Sequence, residues 1–315
     1  MGCKMEKAKQ LMKSINSIIV GKEDITELIV TALIAGGHVL MEDMPGTGKT
    51  VLAKTLAKSV DADFGRVQFT PDLLPSDVTG LNVYSQKSGE FEFHNGPVFC
   101  NILLADEINR ATPRTQSSLL ECMEEKQVTV DRVTRKLSEP FFVIATQNPI
   151  ETSGTFPLPE AQMDRFLMRI SMGSISEGEE VYLLKQKLAG NTVDKVDAVC
   201  TREDIVRMHE EAEAVFVHDE ILKYICEIVD ATRKDETIVA GVSPRGTIAL
   251  MRAAQAYAYI NGRNYVVPED VKKLAIPVLA HRLVLMEGFA GMKAYENRID
   301  KVVKRVAVPT EDWSK

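Results

Sequence analysis

The chain has 315 residues, 45% of them apolar and 26% charged, with a formal net charge of −7. This is the composition of an ordinary soluble globular protein, long enough for two domains or for one with a large attachment. The acidic balance gives no electrostatic reason to expect a nucleic-acid partner or an anionic membrane surface, and no apolar run is long enough to span a bilayer.

The five cysteines (Cys3, Cys100, Cys122, Cys200 and Cys226) are scattered and never stand in a C-x-x-C spacing. That argues for a reducing, cytoplasmic compartment and against a zinc site or a disulfide framework. Met1-Gly2-Cys3 opens like an acylation site, but Glu6 stands where that motif asks for Ser or Thr.

Taken in order, Met5, Ala8, Leu11, Met12, Ile15 and Ile19 recur at helical spacing. A second helix carries Ile25, Leu28, Ile29, Ala32 and Leu33 and stops at Gly36-Gly37. The short apolar run His38-Val39-Leu40-Met41 then leads into Glu42-Asp43-Met44-Pro45-Gly46-Thr47-Gly48-Lys49-Thr50, and the amphipathic run from Val51 to Ala57 follows. This reads as strand, tight loop and helix. Glycines at 46 and 48 let the backbone turn and aim its N–H groups inward, where the helix N-terminus adds partial positive charge. In such a phosphate loop Lys49 reaches the β- and γ-phosphates and the Thr50 hydroxyl ligates Mg²⁺. The full pattern asks for glycine at position 43, where this chain has Asp43; that glycine contributes mainly backbone freedom.

Arg66-Val67-Gln68-Phe69 reads as a short strand. Residues 71–98 form an irregular stretch in which 82–85 and 90–93 could pair as a hairpin. Asn101 to Ala105 is a buried strand ending in Asp106-Glu107, and Pro113 opens a helix. Residues 127–137 alternate like a second hairpin, turning at Asp131-Arg132. Phe141 to Thr146 is another buried strand, ended by Gln147-Asn148-Pro149, and Phe166 to Met172 closes the set. Buried strands alternating with helices predict an α/β fold: a parallel sheet with helices on both faces. From Gly173 the texture turns helical, with capping boxes at Ser176/Glu179 and Thr201/Asp204 and helices near 218–233, 246–260 and 269–283. The expectation is a sheet domain over 1–173 and a smaller all-helical domain over 174–315.

Asp106 and Glu107 end an apolar strand after a phosphate loop. There one carboxylate can order the Mg²⁺ shell and the other can deprotonate an attacking water. Asn148 ends the next core strand and could hold that water. Arg165 and Arg245, each taken alone, read as surface residues. The five histidines show no metal-ligand spacing.

Together the Pro-Gly-Thr-Gly-Lys-Thr loop, Leu104-Ala105-Asp106-Glu107-Ile108-Asn109-Arg110-Ala111, Thr146-Gln147-Asn148-Pro149, Leu158 to Phe166 and Ser243-Pro244-Arg245 resemble the signature series of the MoxR family of AAA+ ATPases. The resemblance runs from about residue 10 to about residue 310. It implies ATP and Mg²⁺ as cofactors, with Val20 and Gly21 bordering the adenine. Pro45, Gly46, Thr47, Gly48, Lys49, Thr50 and Val51 would form the phosphate site, and Thr50 and Asp106 would serve the metal. It also implies Glu107 as general base, Asn148 as first sensor and Arg165 as an arginine finger given to a neighbouring subunit. Arg169 and Arg110 are rivals for that last role. Arg245 would be the second sensor, reaching back from a helical lid. Residues 71–98 would be the helix-2 insert of this clade, and 127–137 its hairpin before the first sensor. The resemblance further implies a homo-oligomeric ring, a hexamer by expectation, that remodels or matures a partner, often beside a protein with a von Willebrand factor A domain. Three readings compete: a metal-chelatase-type motor, a nucleotide-switched scaffold and a small-molecule kinase. The presence of both acids argues against a dead scaffold, and a trans arginine with a second sensor argues against a metabolite kinase.

Overall fold

The computed structural model describes residues 2–44, 46–149, 154–190, 192–286, 291–311 and 313. Its centre is a five-stranded, all-parallel sheet. Across it the strands run Phe64–Gln68, Ile102–Asp106, Phe142–Gln147, Val39–Glu42 and Met168–Ile170. Side chains alternate along each strand and sort the core by face. Val39, Met41, Ile102, Leu104, Phe142 and Ile144 join one cluster, while Leu40, Leu103, Ala105, Val143 and Ala145 join the other. Helices Gly2–Asn16, Glu23–Ile34 and Lys49–Ser59 cover the first face, and helix Pro113–Glu125 covers the second.

The parallel arrangement brings every strand's C-terminal end to one edge. The phosphate loop, Asp106-Glu107 and Asn148 therefore meet there, at the ends of three adjacent strands. At the opposite edge His38 precedes strand Val39–Glu42. Its Nδ1 accepts from Val143 N–H at 3.1 Å, so its Nε2 carries the proton and donates to the Met123 carbonyl at 3.1 Å. That bond fixes the far end of helix Pro113–Glu125 at the edge away from the phosphate loop.

Both expected hairpins form, as Gly80–Ser85 with Glu90–Asn95 and Gln127–Val130 with Val133–Lys136. The second turns through Asp131 and Arg132, with φ of 51° and 67°. The two hairpins touch: Asn82 Nδ2 donates to Asp131 Oδ2 at 2.6 Å, and the Arg135 guanidinium lies 3.7 Å from the Phe93 ring centre.

Beyond the sheet, both predicted capping boxes are present at the starts of helices Glu177–Leu188 and Arg202–Glu213. Helices Asp219–Lys234, Pro244–Ile260 and Pro268–Leu279 follow, and helix Met292–Arg305, which sequence periodicity did not single out, closes the chain. Among the described residues the C-terminal part is helical apart from a two-stranded ladder of Ile238–Ala240 and Val284–Leu285 and an isolated bridge between Phe216 and Tyr265. Its core is not separate. Ile205, Ile228, Leu250 and Leu274 belong to the same cluster as Leu11, Ile29 and the first face of the sheet. No helix among the described residues is long and apolar enough to cross a membrane.

Candidate nucleotide site

Gly46 and Gly48 have φ of 87° and 94°, a left-handed backbone that glycine adopts without strain. Gly48 is the N-cap of helix Lys49–Ser59, and no side chain caps it, so the first-turn N–H groups stay available to an anion. An added Cβ at Gly46 would meet nothing within 4 Å, which leaves an open cradle. Lys49 is only 8% exposed and its Nζ donates to the carbonyls of Asp43 at 3.0 Å and Met44 at 3.4 Å. Thr47 and Thr50 are half-buried, and Val51 packs on the core. Pro45 lies outside the described residues. These features suit a polyphosphate.

Val20 and Gly21 lie in the turn after the first helix, against the segment that opens helix Glu177–Leu188. Gly21 has φ of 66°, and a Cβ there would fall 1.9 Å from Glu179 Oε1, so the turn lies close against the start of helix Glu177–Leu188 and a side chain at 21 would have to displace that of Glu179. Lys22 Nζ donates to the Ser174 carbonyl at 2.7 Å in the same contact.

The acidic pair is tightly organised. Thr146 Oγ1 donates to Asp106 Oδ1 at 2.6 Å and accepts from the Glu107 N–H at 2.9 Å. Arg66 donates to Asp106 Oδ2 at 2.9 Å. Glu107 Oε2 accepts from Gln68 Nε2 at 2.7 Å and from Arg110 at 3.1 Å. Arg110 is thus engaged with its own chain's Glu107. Asn148 follows the adjacent strand, whose Gln147 carbonyl accepts from the Asp43 N–H at 3.3 Å, so it sits beside the loop. Among the described residues no cluster of three or more His, Cys, Asp or Glu side chains could hold a metal ion. A cation here would depend on phosphate oxygens, with Thr50 and Asp106 as the protein's share.

The arginines are not all at this edge. Arg165 Nε lies 3.1 Å from Glu124 Oε2, and Arg245 pairs with the other oxygen of the same carboxylate. Glu124 adjoins Met123, the residue bonded to His38, and Leu167 N–H donates to the His38 carbonyl at 2.8 Å. Arg165 and Arg245 therefore lie together at the sheet edge opposite the phosphate loop. The expectation that Arg245 reaches back to its own loop does not match this placement, because the Ser243–Arg245 helix start docks on Asp164 and Glu124 instead. Arg165, expected as a finger given to a neighbouring subunit, has a partner in its own chain, Glu124. Arg169 is buried, 3.4 Å from Glu42 and stacked near Tyr295, so it is not presented at the rim.

Sequence reasoning missed Gln68, Arg66, Thr146 and Glu124. Gln68 and Arg66 stand on a strand recognised only as short and apolar in part, and nothing local marks Glu124 on its helix.

Residues 38–168 match the profile of the ATPase family associated with various cellular activities (AAA), and residues 230–302 match the AAA lid domain. Sheet order, phosphate loop and paired acids thus define an ATPase of the AAA class with its lid. Over nearly the whole length the chain is 50% identical to YeaC of Bacillus subtilis, a protein described only as uncharacterised, covering 95% of this chain and 94% of that one. It is 41% identical to the chaperone MoxR1 of Mycobacterium tuberculosis, over 94% of this chain and 80% of the relative. It is 30% identical to MoxR of Paracoccus denitrificans, over 92% and 90%. The chain belongs to the MoxR family of AAA+ ATPases. The crystal structure of an ATPase candidate from Cytophaga hutchinsonii superposes with a TM-score of 0.88 at 39% identity, covering 98% of this chain and 96% of that one.

Proposed function

We propose that this protein hydrolyses Mg·ATP as a ring of identical subunits and uses the turnover to remodel or mature a partner protein complex. The observation that carries the reading is the separation of the site's two halves. The phosphate loop, Asp106 and Glu107 lie at one sheet edge, and Arg165 with Arg245 at the other. Helix Pro113–Glu125 spans the gap; its 13 residues measure about 20 Å. No single subunit closes that distance, whereas a second copy set head to tail brings its arginines to the first copy's phosphates. Such an interface is heterologous and repeats until a rotation closes it.

Bound Mg·ATP supplies the phosphoanhydride bond and the charge to be neutralised. The backbone N–H groups of 46–50 and Lys49 bind its phosphates, and Lys49 is already poised on carbonyls it can exchange for them. Glu107 takes the proton of the attacking water, and Gln68 and Arg110 orient its carboxylate. A neighbour's Arg165 and Arg245 neutralise transition-state charge. The chaperone description of the Mycobacterium relative supports the remodelling step. A hexamer, a cytoplasmic setting and a von Willebrand factor A partner complete the proposal.

The test is complementation by mixing. Arg165→Ala keeps its pocket and loses its finger; Lys49→Ala does the opposite. Each alone should lose about 10³-fold or more in turnover. Mixed under conditions of demonstrated subunit exchange, they should recover part of the activity. No recovery would sink the trans assignment.

A further inference from the structure

Asp43 occupies the position where the phosphate-loop pattern asks for glycine, and its side chain is almost fully buried, with 6% of the residue exposed. The carboxylate accepts three hydrogen bonds: from Ser171 Oγ at 2.6 Å, from Met172 N–H at 2.8 Å and from Gly173 N–H at 3.1 Å. All three donors come from the segment that leaves the last strand, Met168–Ile170, and leads to Ser176, the N-cap of helix Glu177–Leu188. Gly173 turns the chain there with φ of 60°. Through its main chain the same residue holds Lys49, whose Nζ bonds the Asp43 carbonyl at 3.0 Å. A Cβ at Gly48 would lie 3.9 Å from the Met172 methyl, so the segment also packs beneath the loop's second glycine.

The helix at the far end of this segment has no buried residue. It carries an exposed apolar stripe of Val181, Leu184 and Leu188, the last 90% exposed. Its N-terminal turn is held to the rest of the molecule by the contacts of Gly21, Lys22 and, through the segment 171–173, Asp43.

We propose that Asp43 is a positioning residue that couples the state of the phosphate loop to the placement of helix Glu177–Leu188. The proposal rests on the reading that the loop binds Mg·ATP. A phosphate that takes Lys49 releases the Asp43 carbonyl and lets residues 43 and 44 shift. A buried carboxylate with three donors moves with its donors, because leaving any of them unpaired in a buried site is costly. The shift of the loop therefore reaches 171–173 and the helix beyond. Glycine at position 43, with no side chain, would remove this hydrogen-bonded link between loop and helix.

Amide hydrogen exchange on the full chain tests this, with Mg²⁺ and adenylyl imidodiphosphate as the probe. In wild type, nucleotide should slow exchange at 46–52 and change it at 172–188 by about tenfold, within the range of ordinary coupling energies. Asp43→Asn, whose amide nitrogen cannot accept from Met172, should keep the protection at 46–52 and lose most of the change at 172–188. Ser171→Ala, which removes one donor and leaves the loop intact, should show an intermediate loss. A full nucleotide-dependent change at 172–188 in Asp43→Asn would overturn the proposal, and so would a wild type that protects 46–52 with no change at 172–188. Absence of protection at 46–52 in wild type would overturn the ATP reading itself, and this coupling with it, and is distinguishable from both.

Discussion

Glu107 stands in the left-handed region with φ of 56°, uncommon for a residue with a side chain. The strain is held by Thr146 on its N–H and by Gln68 and Arg110 on its carboxylate. A constrained acid at a strand end fits a general base. Glu107→Gln should bind Mg·ATP nearly as wild type and hydrolyse it about 10²–10⁴-fold more slowly. Near-normal turnover in a steady-state assay would remove it from the role. His38 gives a prediction of another kind. Burial pushes its pKa down from 6.5 to about 4, and it stays neutral between Val143 and Met123. The unfolded chain binds that proton between pH 6.5 and 4 and the folded one does not, so stability rises with pH across this window. The contribution is full above pH 6.5 and is lost as pH falls toward 4; at pH 5 the loss is about 2 kcal/mol. His281, also buried and shifted down, adds a loss of the same sign. Urea unfolding at pH 7 and pH 5 should show His38→Gln losing about 2 kcal/mol less than wild type over that interval.

Among the elements, the two hairpins form one projection through Asn82–Asp131 and Arg135–Phe93. At its tip Tyr84 and Phe91 stack edge to face at 5.5 Å while Phe91 remains 71% exposed. Paired aromatic rings left in solvent are a contact surface more than a core. Replacing residues 82–93 by a short glycine turn should leave nucleotide binding within about twofold, because the hairpin contributes nothing to the sheet edge that holds the loop. It should abolish stimulation of turnover by a partner protein. Unchanged stimulation would place the partner elsewhere. The existence of these hairpins was legible from alternation and from the turn residues Asp131-Arg132. Their mutual contact was not, since it joins residues 49 positions apart by side chains that have no local signature.

At the scale of the whole molecule, the chain reads as two domains, but one of its two core clusters runs through both parts. Cluster members from helices Gly2–Asn16 and Glu23–Ile34 lie with those of Arg202–Glu213, Asp219–Lys234 and Pro244–Ile260. A single cooperative thermal transition is expected without nucleotide, with calorimetric and van't Hoff enthalpies equal. Ile29, fully buried in this shared core, should cost about 2–5 kcal/mol as Ile29→Ala and lower that one transition. Two resolved transitions, only one of them moved by the substitution, would show the parts to be independent. By itself the sequence determined the phosphate loop, the strand ends that carry Asp106, Glu107 and Asn148, and the two capping boxes. Each of these is written in contiguous residues, through glycine freedom, unbroken apolar runs buried on both faces and side-chain-to-backbone bonds three residues apart. Tertiary structure alone decided that Arg165 and Arg245 share Glu124, that Arg169 is buried on Glu42, that Gln68 holds Glu107, and that Asp43 reaches Ser171 to Gly173. Those pairs follow from the order of strands across the sheet and from which edge each loop returns to, and no local backbone or side-chain preference encodes that order.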